Sequence, residues 1–245
     1  MPLIKPGDDL LARILKAARR VGGFKEGDIF ILSSKVLATA QGRLKELSRI
    51  RPSTRARRLA SKAGLEPEFV EIVLHEADRV LGVVKGAILT LRGGLACANA
   101  GVDRSNTPPG YAALIPANPN RAAEELRAAI ERHAKARVAV IVVDSNVKPL
   151  RLGTVGQAIG MAGLEPVIDC RGELDLYGNP LKITFRAVAD QLATAAQLVM
   201  GEAAERVPAA IVRGPNLKIV GRVKRSPKVP FGRCIYFSSL KHRKE

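Results

Sequence analysis

The 245-residue chain has no tryptophan, three tyrosines, six phenylalanines and three histidines. Aromatic rings therefore cannot organise its interior. With 47% hydrophobic residues, a core must come from Leu, Val, Ile and Ala, and a disordered chain is excluded. The three cysteines, Cys97, Cys170 and Cys234, are scattered and odd in number, with no C-x-x-C pair. That excludes a disulfide framework and a zinc knuckle and points to a reducing cytoplasm. No apolar run approaches the ~18 residues of a membrane span. The opening "MPLIKPGDDL" holds no apolar signal core, so neither a membrane anchor nor a signal peptide is expected. Acids are also scarce, at 23 against 40 Lys and Arg, for a net charge of +17.

The excess of positive charge is partly local. Ten Lys or Arg and one acid, Glu245, fall between Arg213 and the end, and "RIRPSTRARR" occupies 49–58. Such fields attract nucleotides, polycarboxylates and RNA, or serve only solubility; they say nothing of fold.

Periodicity divides the chain into mixed elements. Asp8 and Asp9 start a helix with Leu10, Leu11, Ile14, Leu15 and Ala18 on one face, ended by Gly22-Gly23. "DIFILSSKV", 28–36, reads as a buried strand running into a polar turn. Ser53 or Thr54 caps a basic helix that stops at Gly64, and 66–81 reads as a second helix with Phe69, Ile72, Val73 and Val80 inward. Residues 87–101 have the pattern of a hairpin with a Gly-rich turn, 120–137 of a helix and 138–143 of a short apolar strand. After the Gly-rich "RLGTVGQAIGMAG" (151–163) come a turn at 177–180, a strand at "KITFRAVA", a helix over 190–205 and a strand at "PAAIVRG". Without regular βαβ alternation the expected class is α+β, with mixed sheets and helices.

Candidate chemistry is confined to oxygen. There is no G-x-x-x-x-G-K-[ST], and the glycines at 153, 156 and 160 do not make G-x-G-x-x-G. His75, His133 and His242 are not spaced as a metal set. Two aspartates stand out: Asp103 in "NAGVDRSN" (99–106) and Asp144 in "VVDSN" (142–146), the latter at the end of the apolar strand. With Ser145, and with Glu202 near the end of the 190–205 helix, they form a set of hard donors suited to Mg²⁺ or Mn²⁺. Turn or capping roles fit the same Asp residues equally well.

Several segments in order carry a resemblance: "PLIKPGDDL", "AQGR" (40–43), "NAGVDRSN", "VVDSN", "RLGTVGQAIG", "DLYGNPL", "LVMGE" (198–202) and "IVRGPN". Over roughly residues 2–216 the chain resembles the coenzyme F-420-0:L-glutamate ligases, the γ-glutamyl ligases of deazaflavin cofactor synthesis in archaea. The resemblance implies a catalytic domain over 1–216, a basic extension over 217–245, an F-420 ligase-like α+β fold and an intertwined homodimer. It implies GTP-dependent activation of a carboxylate of F-420-0 as an acyl phosphate, then attack by the amine of L-glutamate, with further γ-glutamyl additions in some members. Two divalent cations, Mg²⁺ or Mn²⁺, and a potassium ion are implied as cofactors. By residue it implies Asp103 and Asp144 as catalytic metal ligands, joined by Ser145, in place of a family threonine, and Glu202. Leu3, Ile4, Ser34, Lys35, Thr39, Asn106 and the run Met200, Gly201, Ala203, Ala204, Glu205, Arg206 and Val207 match nucleotide-contact positions.

The chain departs from the family pattern in places. Thr39 stands where a nucleotide-binding lysine is expected, and Ala203-Ala204-Glu205-Arg206 replaces Gly-Gly-Asp-Gly. The short segment usual before "PLIKPGDDL" is missing and the basic tail is unfamiliar. These departures keep two alternatives: a diverged ligase for another acid or amine, and a non-catalytic homologue that binds nucleotide or RNA. For the latter the tail offers only Phe231, Tyr236 and Phe237 for base stacking.

Overall fold

The computed structural model describes residues 1–240; His242 and the last five residues of the basic tail lie outside the described residues. In chain order the elements begin α1 (Leu10–Arg19), β1 (Ile29–Ser33), α2 (Ser34–Ala40), β2 (Leu44–Glu46), α3 (Thr54–Ala63), α4 (Pro67–Glu76), β3 (Arg79–Val84), β4 (Ala87–Arg92), β5 (Leu95–Ala98) and β6 (Tyr111–Ala113). They continue α5 (Pro119–Ala134), β7 (Ala139–Val147), β8 (Thr154–Ala162), β9 (Ile168–Asp169), β10 (Phe185–Arg186), α6 (Val188–Met200), β11 (Ala209–Val212) and α7 (Ile235–Leu240). The class is α+β with mixed sheets. The chain forms two units. One holds Met1–Leu44 and Ala113–Arg225, the other Lys45–Ala112 and the segment from Ser226. Among the described residues no helix is long and apolar enough to cross a membrane.

The first unit is built on a four-stranded sheet in the order β11-β1-β7-β8. β1 and β7 are parallel, with Ile31 opposite Ile141, while β11 and β8 run antiparallel to their neighbours. The continuous apolar runs of β1 and β7 follow from burial on both faces. On one face Ile29, Ile31, Ile141, Val143 and Ala158 pack against Val188, Leu192, Ala193, Ala196 and Met200 of α6. α5 packs against β7 and β8. Each large aliphatic side chain so buried contributes about 1.5–3 kcal/mol.

The glycines of "GTVGQAIG" are explained by packing. A Cβ on Gly156 would lie 2.5 Å from the Ala193 carbonyl oxygen of α6, and one on Gly160 would lie 2.5 Å from the Pro119 backbone at the start of α5. A bulge lets one strand meet both helices: Val142 pairs with Gly160 and Val143 with Ala158, so Ile159 is the extra residue and the side-chain alternation reverses there. Below β1, buried Asp28 is clamped by Arg213, with Oδ1 accepting from Nε at 2.8 Å and Oδ2 from Nη2 at 2.7 Å. Burial alone would raise the Asp28 carboxyl. The Arg213 guanidinium and the Lys25 backbone N–H outweigh it and hold the carboxyl below its ordinary range.

The second unit sets the antiparallel sheet β3-β4-β5 with α3 and α4. Ser53 caps α3 by accepting from the Ala56 N–H at 3.2 Å, and Gly64 ends it in the left-handed conformation. In the C-terminal segment Phe231 and Phe237 stack with ring centroids 4.8 Å apart, and the Arg79 guanidinium lies over the Phe231 ring.

Several expectations are corrected. The residues after β1 form α2 rather than a polar turn. The helix from 66 ends at Glu76, and Val80 belongs to β3. The strand expected over 138–143 runs on to Val147, which puts Asp144 inside it. Of "KITFRAVA" only Phe185–Arg186 is strand, because Val188 already starts α6. That helix stops at Met200, and Glu202 lies beyond it.

Candidate functional site

Strand alternation places the side chains of Asp144 and Ser145 on opposite faces of β7, and their partners agree. Asp144 Oδ1 accepts from the hydroxyl of Ser34, the first residue of α2, at 2.5 Å. Ser145 sits opposite Gly156, on the face that carries α6. There its hydroxyl donates to Glu202 Oε1 at 2.7 Å. Gln197 of α6 donates from Nε2 to Ser145 Oγ at 2.8 Å, and also to Glu202 Oε1. Thr154, at the start of β8, donates from Oγ1 to the same Glu202 oxygen at 3.3 Å.

Gly201 makes this convergence possible. Its φ of 70° and ψ of −178° lie in a region that only glycine occupies readily. A Cβ there would also meet the Glu205 carboxylate. α6 thus ends abruptly and the next residue, Glu202, returns to the strand end. On the other face of β7, Asn146 Nδ2 donates to Gln157 Oε1.

The donors here are carboxylate, hydroxyl and amide groups, without histidine or cysteine. That chemistry fits a hard divalent cation and not a zinc site. Among the described residues no three Asp, Glu, His or Cys side chains converge. An ion would therefore complete its shell with hydroxyl, amide or water oxygens, as Mg²⁺ usually does.

Asp103 belongs to the second unit, on the loop after β5. Three residues in a row, Asn99, Ala100 and Gly101, have φ of 51°, 53° and 69°. This left-handed turn costs about 1–2 kcal/mol for each non-glycine residue. It persists because its groups are tied down. Ala100 is buried, and its N–H donates to Thr90 Oγ1 at 2.8 Å, while the same hydroxyl donates to the Cys97 carbonyl at 2.8 Å. Asn99 Oδ1 accepts from the Ile88 N–H at 2.9 Å, and the Val102 N–H bonds back to the Asn99 carbonyl at 2.9 Å. Beyond the turn, Asp103 accepts from the Ser105 N–H at 2.9 Å and from the Ser105 hydroxyl at 2.6 Å. Asn106 again has a positive φ, 52°.

The remaining sequence-derived positions separate into groups. Ser34, Lys35 and Thr39 share α2, and the Thr39 hydroxyl donates to the Lys35 carbonyl at 2.8 Å. The N-terminal amine donates to the Arg206 carbonyl at 2.7 Å, which brings the segment of Leu3 and Ile4 to the turn after α6. In that turn the Ala203 N–H donates to Glu205 Oε2 at 2.8 Å, while Met200 is buried in the core. Arg206 and Val207 line a cavity of about 850 Å³ between α1 and β11, ringed by Arg13, Lys16, Arg20 and Arg213. Asp144, Ser145 and Glu202 do not line it. Sequence reasoning missed Gln197, Thr154 and Thr90, since a neutral amide and two hydroxyls give no pattern of spacing or charge. His75 pairs with Glu71 at 3.2 Å and His133 bonds the Ala129 carbonyl at 2.8 Å, local helix contacts that need no catalytic role.

Comparison with known proteins adds the family. Residues 1–214 match the family described as "F420-0:Gamma-glutamyl ligase". A "Coenzyme F420:L-glutamate ligase" of Methanopyrus kandleri is 45% identical over 212 residues, covering 86% of this chain and 82% of that protein. The proteins of the same name from Methanothermobacter thermautotrophicus and Archaeoglobus fulgidus are 41% and 40% identical, over 87% and 89% of this chain and 86% of each relative. With the oxygen-donor cluster at the end of β7 and the strained "NAGVDRSN" loop both in place, the chain belongs to the F420-0:gamma-glutamyl ligase family.

Proposed function

We propose that the protein is a ligase that joins L-glutamate to coenzyme F-420-0 through an amide bond, using GTP to activate the carboxylate as an acyl phosphate. The observation that carries this is the family match over residues 1–214, on a chain that retains Asp103, Asp144, Ser145 and Glu202.

Asp144, Ser145 and Glu202 on the first unit, and Asp103 on the second, are proposed as the ligands of divalent Mg²⁺ or Mn²⁺, with a potassium ion as a further cofactor. Bound there, the divalent ions would offset the repulsion between an attacking carboxylate and the anionic γ-phosphate. The chain's own residues have separate tasks. Ser34 orients the Asp144 carboxylate by donating to it. Ser145 and Thr154 hold Glu202 towards the strand end. Lys35, Thr39, Asn106 and the 200–207 turn serve the nucleotide, and the cationic residues around the α1–β11 cavity suit substrates that are anionic throughout.

A homodimer is part of the proposal. Leu150, Leu152, Leu176, Tyr177 and Ile183 of the first unit are almost fully exposed and Leu174 is exposed over two thirds of its surface, and apolar side chains in such number are the mark of an association surface. Light scattering at the mass of two chains supports this; a monomer at all concentrations opposes it.

The function is tested by incubating the chain with F-420-0, GTP, Mn²⁺ and L-glutamate and weighing the product. The expected result is an F-420 species heavier by one or more glutamyl residues, with GDP formed in step. Glutamate-dependent GTP turnover without that product would point to the diverged ligase. Salt-sensitive RNA binding without turnover would point to the nucleic-acid-binding homologue.

A further inference from the structure

The Gln197 amide presents its hydrogens where a cation is proposed to bind. Its Nε2 hydrogens point at Ser145 Oγ and Glu202 Oε1 together. Those are the oxygens proposed above to hold a cation. With its hydrogens turned to these oxygens, the amide can serve a bound ion only indirectly, as a hydrogen-bond donor to the ligands. The primary amide has a second face, however. A half-turn about its terminal bond exchanges NH₂ for a carbonyl oxygen in nearly the same volume.

The backbone around Gln197 is fixed. It lies one helical turn after Ala193, whose carbonyl is pressed onto Gly156 of β8, and between buried Ala196 and Met200. The Thr194 hydroxyl further ties α6 to the Gly156 carbonyl at 2.9 Å. α6 therefore holds the amide at the strand end, and turning it is the least disruptive response to a bound ion.

We infer that Gln197 is a further metal-site residue of this chain. Its N–H groups bridge Ser145 and Glu202 in the ion-free state, and its carbonyl oxygen faces a hard divalent cation bound by those two side chains. The inference rests on the metal reading of the Ser145–Glu202 pair. It adds that, with no ion bound, a neutral amide donor helps to keep Glu202 at the strand end.

The test is calorimetric titration of the full chain with Mn²⁺ alone, with no nucleotide or substrate present, alongside thermal melts with and without Mn²⁺. Gln197→Leu, which removes both faces of the amide, should weaken Mn²⁺ binding about tenfold or more. Gln197→Glu, which keeps an oxygen and adds a charge, should tighten Mn²⁺ binding by about tenfold. It should also melt lower than the parent without Mn²⁺ and recover when Mn²⁺ is added. The proposal for Gln197 is overturned if both variants bind Mn²⁺ as the parent does while Glu202→Gln weakens binding. If Glu202→Gln also leaves Mn²⁺ binding unchanged, the metal reading of the pair fails and takes the Gln197 proposal with it.

Discussion

Asp103 and Asp144 are presented by opposite means. Asp144 stands inside a nine-residue strand, β7, just past the last residue paired with β1 and opposite Gln157 of β8. Asp103 stands on a loop, and its backbone is fixed by a left-handed turn in which a buried alanine holds a φ of 53°. A central strand positions a side chain through regular pairing and costs little locally. A loop reaches comparable definition only when buried hydrogen bonds over-determine a strained backbone. The strand should tolerate changes to its exposed side chains, whereas the loop should depend on a few particular bonds.

The largest effect is expected from the carboxylates themselves. Asp144→Ala and Asp103→Ala should each lower GTP turnover roughly 10³-fold, on the order of 4 kcal/mol of transition-state stabilisation. Circular dichroism should show both variants folded. Near-parent activity in either would remove that aspartate from the chemistry.

Next comes the support of the strand. Gly156→Val would drive a side chain into the Ala193 carbonyl, and a denaturant melt should show a loss of about 3 kcal/mol. A loss below about 0.5 kcal/mol would mean that α6 does not press on β8 as described.

The loop is tested at Thr90. Thr90→Val keeps the shape but removes the hydroxyl that accepts from the Ala100 N–H and donates to the Cys97 carbonyl. It should cost about 2 kcal/mol, and Thr90→Ser should restore most of it. Equal losses in the two variants would show that packing, not the hydroxyl, matters there.

Asp28 separates general stability from either site. Its carboxyl lies below its ordinary range in the folded chain. Its contribution is therefore complete above the unfolded value, near pH 4, and is lost as pH falls through the lower folded value. Asp28→Asn should cost about 2 kcal/mol at neutral pH and flatten the acid side of the stability curve. An unchanged acid limb would contradict the Arg213 clamp.

The smallest effect is Ala100→Gly, which should relieve the left-handed strain and raise stability by up to ~1 kcal/mol. It should also lower activity several-fold, because glycine frees the loop that the turn now fixes. A gain in both stability and activity would deny that the strain has a positional role.

Much of the fold could be read from local signals. Asp9, Ser53 and Gly64 act at helix ends as their types suggest. The apolar runs of β1 and β7 mark the buried centre of the sheet. Other elements were hidden for definite reasons. β8 carries the glycines its two helix contacts require, and these erase its strand propensity. α2 spans seven residues, too few for a helical period to emerge. Val80 falls in step with the preceding helix although Ala77 and Asp78 break it before β3. For the candidate site, the motifs singled out Ser145 and Glu202, which the structure brings within hydrogen-bonding distance. Gln197 bonds Ser145 across 52 residues and Thr154 bonds Glu202 across 48, separations that local sequence patterns do not encode, and the Thr90 hydroxyl joins two strands of one hairpin without any mark of charge.

The most direct measurement of whether two differently held aspartates serve one reaction is the double variant Asp103→Ala/Asp144→Ala beside the two single variants, assayed for glutamyl transfer to F-420-0 under saturating Mn²⁺ and GTP. Groups that act as one unit are strongly non-additive, so the double variant should be about as inactive as either single one. Losses that multiply, or a single variant that retains most of the parent activity, would show that the two aspartates act separately.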